Sequence, residues 1–226
     1  MKKIVVLTGA GISAESGLGT FRDNGGLWEN YRIEDVATPQ AFKKNPALVL
    51  EFYNVRRKEL LEAFPNQAHV ALNKLQEKYS LSIITQNIDD LHERSGGKNI
   101  LHLHGKLIES RSVIDGQVYP IKGPDLNIGD LCKKGGQLRP NVVWFGEAVP
   151  KMEDAINKVN QADIFLIIGT SLNVYPAASL LDCAKKAKRI IIIDPKSPLH
   201  KGVEVISQRA TIAVPKLVKE LINIYS

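Results

Sequence analysis

Four short apolar runs constrain the fold of this 226-residue chain more than any other feature. They are rich in isoleucine and valine, each ends at a polar or glycine turn, and they cover residues 4–7, 81–84, 164–168 and 190–193. Such runs are typical of parallel strands that are buried on both faces. Helical patterns lie between them, near residues 46–64, 66–79, 151–162, 176–187 and 214–225. The alternation predicts an α/β fold built on a Rossmann-like, doubly wound parallel sheet.

Residues 107–141 interrupt this alternation. The segment is polar, contains many glycines and prolines, and has only short apolar pieces. It is either a long functional loop or a small inserted module. The chain length allows one substantial domain, or a large domain with a small insertion.

The composition argues against several classes of protein. No window approaches 18 continuous apolar residues, so we expect no membrane span. The first apolar run meets a glycine turn after about five residues, which suits a buried strand better than a signal peptide. The net charge of +6 is spread along the chain, and it indicates no nucleic-acid site. Two cysteines, Cys132 and Cys183, argue against a disulfide framework, so we expect a cytoplasmic protein.

A glycine turn follows the first predicted strand. In "LTGAGISAESG", Gly9, Gly11 and Ala14 have the spacing G-x-G-x-x-A. The glycines would let the backbone approach a pyrophosphate, and the start of a following helix would present N–H groups to it. An ordinary dehydrogenase also needs a second strand that ends in an acidic residue. The chain continues instead into "SGLGTFRDNGGLWENY", so we expect a long loop over the nicotinamide end of a dinucleotide.

Three further polar clusters follow apolar runs, at residues 85–93, 102–105 and 169–176. Ligands of open α/β sheets bind outside the carboxyl ends of the strands, so these clusters and the glycine turn predict one nucleotide site. The second cluster contains His102 and His104. The period of a strand places both on one face, and spacing alone does not decide which one is a catalytic base and which is structural.

Five motifs occur in the order found in the sirtuins, the NAD-dependent protein deacylases: "GAGIS…GTFR", "TQNIDDLH", "LHGKL", "LRPNVVWFGE" and "GTSLNVYPAA". The resemblance extends from residue 4 to about residue 216. It implies a Rossmann-like NAD-binding domain of residues 1–106 and 141–226, with NAD as co-substrate. It also implies a small inserted domain at residues 107–140, with which helices near 30–64 pack.

The same resemblance assigns roles to individual residues. His104 matches the general base, Asn87 is also catalytic, and His102 is left as a supporting residue. Asp194 stands where the family usually has asparagine at the adenosine ribose. The NAD contacts that the resemblance implies are Gly9, Ala10, Gly11, Ser13, Phe21, Arg22, Trp28, Gln86, Asn87, Ile88, Asp89, Gly169, Thr170, Ser171, Asp194 and Ala210.

Substrate contacts are implied in two places. The segments "VVWFGE" and "NVYP" resemble the two edges between which a substrate peptide pairs as a strand. Tyr53 and Arg56 lie three apart on a predicted helix, and spacing alone is explained by a half-buried tyrosine and a solvated arginine. The pair also resembles the Y-x-x-R of sirtuins that accept acidic acyl groups, whose carboxylate an arginine can bind in a fork. The implied contacts are Tyr53, Arg56, Val143, Phe145, Gly146, Glu147 and Val174.

The structural zinc site of the family lacks its ligands in this sequence. Sirtuins usually carry two C-x-x-C pairs in the small domain. Counting from the flanking motifs places these positions at Ser112, Asp115, Leu131 and Lys134, with Cys132 the only thiol nearby. We therefore expect no zinc. We expect apolar packing to hold the module instead, through Ile108, Val113, Val118, Ile121, Leu126 and Leu131.

The sequence thus predicts an NAD-dependent protein-lysine deacylase that removes acetyl, succinyl and malonyl groups and yields nicotinamide and O-acyl-ADP-ribose. Its partners would be acylated lysine side chains of proteins, without nucleic acid or membrane, and the oligomeric state is left open. An NAD glycohydrolase or ADP-ribosyltransferase would share the nucleotide site but not the peptide groove. A non-catalytic NAD sensor is disfavoured by the presence of His104, Asn87 and Asp89.

Overall fold

A computed structural model describes residues 1–19, 31–172, 174–199 and 201–224 of the chain. Its larger sheet has six strands, all parallel, in the order β3-β2-β1-β7-β8-β9. The strands are β1 (Lys3–Thr8), β2 (Ser80–Thr85), β3 (Ile100–His102), β7 (Ile164–Ile168), β8 (Arg189–Ile193) and β9 (Glu204–Ile206). The four predicted strands are the four central ones. The two edge strands are only three residues long. A strand that contains His102 was implied by the period relating it to His104, whereas β9 was not predicted because so short a segment gives little signal.

Helices cover both faces of this sheet. The helices of the described chain are α1 (Ile33–Val36), α2 (Pro39–Lys44), α3 (Pro46–Glu62), α4 (Gln67–Lys74), α5 (Leu91–Arg94), α6 (Met152–Val159), α7 (Leu180–Cys183) and α8 (Ala210–Asn223), of which α4 and α8 pack on one face and α6 and α7 on the other. On β1, Ile4 and Val6 pack toward α4 and α8, whereas Val5 and Leu7 pack toward α6 and α7. Within the described residues, no helix is long and apolar enough to cross a membrane. The predicted α/β fold with a doubly wound sheet is confirmed.

Two helix predictions were wrong in their extent. The predicted helix 176–187 is only a 3-10 turn, Ala177–Ser179, followed by the single turn α7. Helix α8 begins at Ala210 rather than near residue 214, because Glu15 caps it from the other end of the chain. The Glu15 carboxylate accepts hydrogen bonds from the Thr211 hydroxyl at 2.6 Å and from the Thr211 N–H at 3.4 Å. A long-range cap of this kind leaves no local sequence signal.

A second, antiparallel sheet lies within the polar segment. Its strands are β4 (Gly105–Ser112), β5 (Val118–Pro120) and β6 (Leu138–Val142), in the order β5-β4-β6. One buried cluster joins this sheet to helix α3: Phe52 and Leu60 of the helix pack with Leu107 and Val142 of the sheet. The small inserted unit is therefore a module with its own sheet rather than a long loop. The domain boundaries given above stay a prediction.

The predicted apolar packing of this module was wrong for half of its members. Leu126 is buried, but Val113, Val118 and Leu131 are 50%, 48% and 55% exposed, because a single three-stranded sheet leaves one face to solvent. Polar side chains of α3 hold the long loop instead. Asn54 bonds both the N–H and the C=O of Leu126. Arg57 donates to the carbonyls of Pro124 and Leu107 at 2.9 and 2.8 Å.

Candidate active site

The predicted polar clusters meet at one edge of the parallel sheet. The chain follows β1 with the glycine turn, β2 with residues 86–90, β3 with residues 103–104 and β7 with residues 169–171. Strand β1 has β2 on one side and β7 on the other. The connections from these neighbours leave in opposite directions, and such a switch point opens a crevice at the carboxyl ends of the strands.

The glycines after β1 are needed for contact between two turns. A Cβ on Gly11 would lie 2.7 Å from the Cα of Gly169, and one on Gly9 would lie 2.7 Å from the Gly169 oxygen. Gly11 N–H donates to the Gly169 carbonyl at 2.9 Å, and Gly169 has a left-handed φ of +64°. The helix predicted after this turn was wrong: the chain forms two 3-10 turns, Ala10–Ile12 and Ala14–Ser16. The packing of the two turns therefore fixes the floor of the crevice.

A buried hydrogen-bond network connects the loops after β1 and β2. The Ser13 hydroxyl donates to an Asp89 carboxylate oxygen at 2.9 Å and accepts from the Asn87 side-chain amide at 3.2 Å. Leu91 N–H donates to the other oxygen of Asp89. Burial raises the pKa of Asp89, and these hydrogen bonds only partly offset that effect. Ser13, Asn87 and Asp89, all predicted NAD contacts, thus form one rigid group.

Gln86 links three of the predicted loops. Its N–H donates to the Thr8 carbonyl, and its side-chain amide donates to the Thr170 hydroxyl at 3.0 Å. The Gln86 carbonyl in turn accepts from Nδ1 of His104 at 2.9 Å. Ile88 holds the start of the small sheet, since its carbonyl accepts from Leu107 N–H at 2.8 Å. The turn after β7 is thereby tied to the loop that carries the predicted base.

The hydrogen bonds distinguish the two neighbouring histidines. His104 Nδ1 faces a carbonyl, so it must carry the hydrogen, and Nε2 of the neutral ring keeps its lone pair. Burial lowers the pKa of His104, and the hydrogen bond to Gln86 only partly opposes this. His102 has both ring nitrogens in contact with oxygen atoms, of Asn87 and of Glu93. Of the two rings, His104 is therefore the one with a nitrogen lone pair that no described group engages.

Two further buried histidines lie beneath the network and were not predicted. His69 Nδ1 accepts from Asn66 N–H, so its Nε2–H points to the Ser13 oxygen at 3.4 Å. His92 contacts the Thr8 hydroxyl at 3.0 Å and stacks edge-on against His69. Burial lowers their pKa values to about 4 and about 3, respectively, so both rings are neutral. The spacing Asn66-x-x-His69, a capping box at the start of α4, was the available sequence signal.

Tyr53 faces the interior, and Arg56 is half-buried beside it. Tyr53 is only 2% exposed, and burial raises its pKa to about 12. Its hydroxyl accepts a hydrogen bond from Nε1 of Trp144 at 3.0 Å. The Arg56 guanidinium lies 5.6 Å from the centre of the Phe52 ring, and burial lowers its pKa. The tyrosine is thus more buried than the spacing alone indicates, and the arginine is partly shielded from solvent.

Backbone hydrogen bonds hold the predicted peptide-binding edge in place. Val143 N–H donates to the His104 carbonyl, and Phe145 N–H donates to the Ala37 carbonyl. Phe145 is exposed, and Gly146 turns the chain with a φ of +88°. Glu147, a predicted substrate contact, instead uses both carboxylate oxygens within the protein, on the groups Arg139, Arg111 and Trp144 N–H.

The remaining predicted positions lie around this edge. Val174 follows β7 and accepts a backbone hydrogen bond from Ala178, and Ser171 is exposed at the turn after β7. Asp194 follows β8, and one of its carboxylate oxygens accepts from Lys196 N–H at 2.8 Å. Ala210 is buried at the start of α8, next to the Thr211 that Glu15 caps. Phe21, Arg22 and Trp28 lie outside the described residues.

The expected zinc positions hold a set of groups that does not fit zinc. Cys132, rather than the exposed Leu131, faces Ser112, whose hydroxyl lies 3.3 Å from the Cys132 sulfur. Asp115 pairs with Lys134 at 3.0 Å. A tetrahedral site needs four thiolate, imidazole or carboxylate ligands, and an ammonium group repels a cation. No cluster of three or more potential metal-binding side chains occurs in the described parts of the chain.

Comparison with known proteins agrees with this geometry. The profile of the Sir2 family matches residues 9–176. This chain belongs to the Sir2 family. A Helicobacter pylori protein named NAD-dependent protein deacylase is 53% identical over the full length of both chains. The predicted family, enzyme class and use of NAD are thereby confirmed.

Two solved structures show what similar proteins bind. A Sir2 homologue in complex with NAD has a TM-score of 0.89 to this sirtuin, with 41% identity over 100% of this chain and 91% of that one. A second, in complex with a deacetylated p53 peptide and acetyl ADP-ribose, has a TM-score of 0.80 and 31% identity over 98% of this chain and 93% of that one.

Proposed function

We propose that this sirtuin transfers acyl groups from protein lysines to the ADP-ribose of NAD, consuming one water and releasing lysine, nicotinamide and O-acyl-ADP-ribose. The observation that carries the proposal is the orientation of His104, whose Nδ1–H is fixed by Gln86 while Nε2 keeps a lone pair. NAD would supply the electrophilic ribose carbon and the nicotinamide leaving group. His104 Nε2 would accept a proton from a ribose hydroxyl, so that the hydroxyl oxygen can attack the acyl group held on that ribose.

The other residues of the site have positioning roles in this proposal. Ser13, Asn87 and Asp89 are fixed by mutual hydrogen bonds and would bind nicotinamide and its ribose without rearranging. The turn at Gly169 and Thr170 would contact the phosphates and the ribose next to them. Phe21, Arg22 and Trp28 stay predicted contacts of the nicotinamide ribose. The peptide would pair as a strand with Val143, Phe145 and Gly146 on one side and with Val174 on the other.

Acidic acyl groups are proposed as substrates in addition to acetyl. Within the described residues, the only hydrogen bond of the Tyr53 hydroxyl is the one it accepts from Trp144, whose indole N–H can only donate. The buried O–H hydrogen of Tyr53 therefore lacks an acceptor, and such a group normally has one. A succinyl or malonyl carboxylate would accept from Tyr53 and pair with the neighbouring Arg56 guanidinium.

One assay tests this function. The purified protein is incubated with NAD and an acetyl-, succinyl- or malonyl-lysine peptide, and the products are identified by mass. We expect deacylated peptide and O-acyl-ADP-ribose in equal amounts from all three peptides. Free ADP-ribose without deacylated peptide would indicate an NAD glycohydrolase, and no turnover of NAD would indicate a sensor.

We also propose that the small module folds and works without zinc. The support is the Ser112–Cys132 hydrogen bond and the Asp115–Lys134 ion pair at the expected ligand positions. Elemental analysis of the purified protein should find no stoichiometric zinc, and a strong chelator should leave deacetylation unchanged. One zinc per chain, or loss of activity with chelator, would contradict this.

A further inference from the structure

His102 makes two contacts that a neutral ring cannot satisfy together. Its Nδ1 lies 3.2 Å from the backbone oxygen of Asn87, and its Nε2 lies 2.8 Å from a carboxylate oxygen of Glu93. A backbone carbonyl only accepts hydrogen bonds, and so does an ionised carboxylate. Both ring nitrogens must therefore carry a hydrogen if both contacts are hydrogen bonds.

Glu93 is the group that decides this, because a protonated carboxyl could donate instead. Burial alone would raise the pKa of Glu93, but the hydrogen bonds that it accepts from His102 and Lys106 outweigh burial and lower the pKa to about 2. Lys106 Nζ lies 2.8 Å from the same oxygen that His102 contacts. Glu93 is therefore ionised at neutral pH and can only accept.

The surroundings of the ring are closed to solvent. The His102 side chain is 6% exposed. The ionisable groups near it come from three elements: Glu93 and His92 from α5, Asp89 from the loop after β2, and Lys106 from β4. His92 is neutral, and Lys106 is the cation that pairs with Glu93.

We propose that His102 is a positioning residue that acts as an imidazolium, holding the Asn87 carbonyl against helix α5. The Asn87 side chain belongs to the Ser13 network, so its backbone anchor fixes one end of the predicted nicotinamide and ribose contacts. The two histidines at the end of β3 then differ in the number of protons they carry. His104 keeps the lone pair of Nε2 for catalysis, whereas both ring nitrogens of His102 carry hydrogen and donate to the groups that fix the loop.

The proposal predicts an effect on NAD rather than on the acyl peptide. It rests on the proposed deacylase activity only for its kinetic test. His102→Gln can donate to one of the two oxygens at a time, and His102→Phe to neither. We expect KM for NAD to rise about tenfold in His102→Phe and less in His102→Gln, with KM for the acetyl peptide within about twofold of wild type.

The direct test measures the protonation of the His102 ring in the wild-type protein. Nitrogen-15 NMR of labelled histidine at neutral pH, assigned through bonds to the backbone, distinguishes a doubly protonated ring from either neutral tautomer. We expect both nitrogens of His102 to be protonated and His104 to carry hydrogen on Nδ1 alone. The spectrum requires no activity, so it decides the protonation even if the proposed reaction fails or neither variant folds.

Two outcomes would overturn the proposal. One unprotonated nitrogen on His102 would refute the imidazolium. A doubly protonated ring together with an unchanged KM for NAD in folded His102→Phe would refute the positioning role.

Discussion

The ionisation of His104 sets the lower pH limit that we expect for catalysis. Its pKa lies below the usual 6.5 because the ring is buried. A base must be neutral to work, so activity should be lost only as pH falls through that lowered value. The kcat/KM for acetyl peptide should therefore decline with an acid limb centred below pH 6.5.

His104→Ala should lower turnover by about 10²-fold or more. Binding of NAD to His104→Ala, measured by calorimetry, should stay close to wild type, because the lost base acts on the transition state. An acid limb centred above pH 6.5, or near-normal turnover in His104→Ala, would contradict the assignment.

Tyr53 and Arg56 should determine the preference for acidic acyl groups. Arg56→Met keeps the aliphatic bulk and removes the charge, so succinyl and malonyl peptides should lose on the order of 2–4 kcal/mol of transition-state binding. Acetyl peptide carries no carboxylate and should change little. Tyr53→Phe should lose about 1 kcal/mol in the same direction.

The measurement is the ratio of kcat/KM for succinyl and acetyl peptides. The acetyl substrate is the internal control, because Tyr53→Phe also leaves Nε1 of Trp144 without its acceptor and so costs stability. A ratio that Arg56→Met does not move would refute acidic acyl recognition while leaving the deacylase function intact.

At the scale of elements, helix α3 holds the small sheet in place of a zinc site. Arg57 is 1% exposed and bonds two carbonyls of the module, so Arg57→Met would leave buried acceptors unpaired. We expect a loss of about 2–4 kcal/mol in the free energy of unfolding and early proteolysis within residues 121–137. The matched control is the neighbouring Lys58→Met, which breaks only an exposed pair with Asp125 and should cost about 0–1 kcal/mol. Equal losses from the two variants would contradict this role.

How well the structure could be predicted from the sequence also differs from element to element. The central strands were predicted because burial on both faces leaves continuous isoleucine and valine, as in β7 and β8. The early start of α8 was missed because its cap is Glu15, and Arg57 was missed because a buried arginine looks like any charge on a helix. The motifs located the NAD loops, but neither spacing nor motif shows that Tyr53 meets Trp144, which requires the folded chain.

At the scale of the whole molecule, the buried histidines make stability depend on pH. His69 and His92 are neutral in the folded protein, with pKa values of about 4 and about 3, whereas in the unfolded chain they protonate near 6.5. The unfolded state therefore binds more protons as pH falls below 6.5, and each residue should cost up to about 1.4 kcal/mol of stability per pH unit until its folded pKa is reached. Asp89, whose pKa is raised, opposes this trend.

Urea unfolding at several pH values between about 6.5 and 5.5 measures this slope, above the pH at which Glu93 protonates in the unfolded chain. His92→Gln can still hydrogen bond to Thr8 but cannot titrate, so it should flatten the slope by up to about 1.4 kcal/mol per pH unit. An unchanged slope in this variant would show that His92 is not the source.

The position of β1 has a consequence for how the protein is made. This strand is synthesised before β2 and β7, yet it lies between them in the finished sheet, where Ile4 pairs with Leu81 on one side and with Ile164 on the other. Pairing strands that lie so far apart in sequence is slow, because closing the long intervening segment costs conformational entropy before the contacts form. The nascent protein therefore carries an open, apolar strand edge until most of its length has been synthesised, and during that interval it is exposed to aggregation.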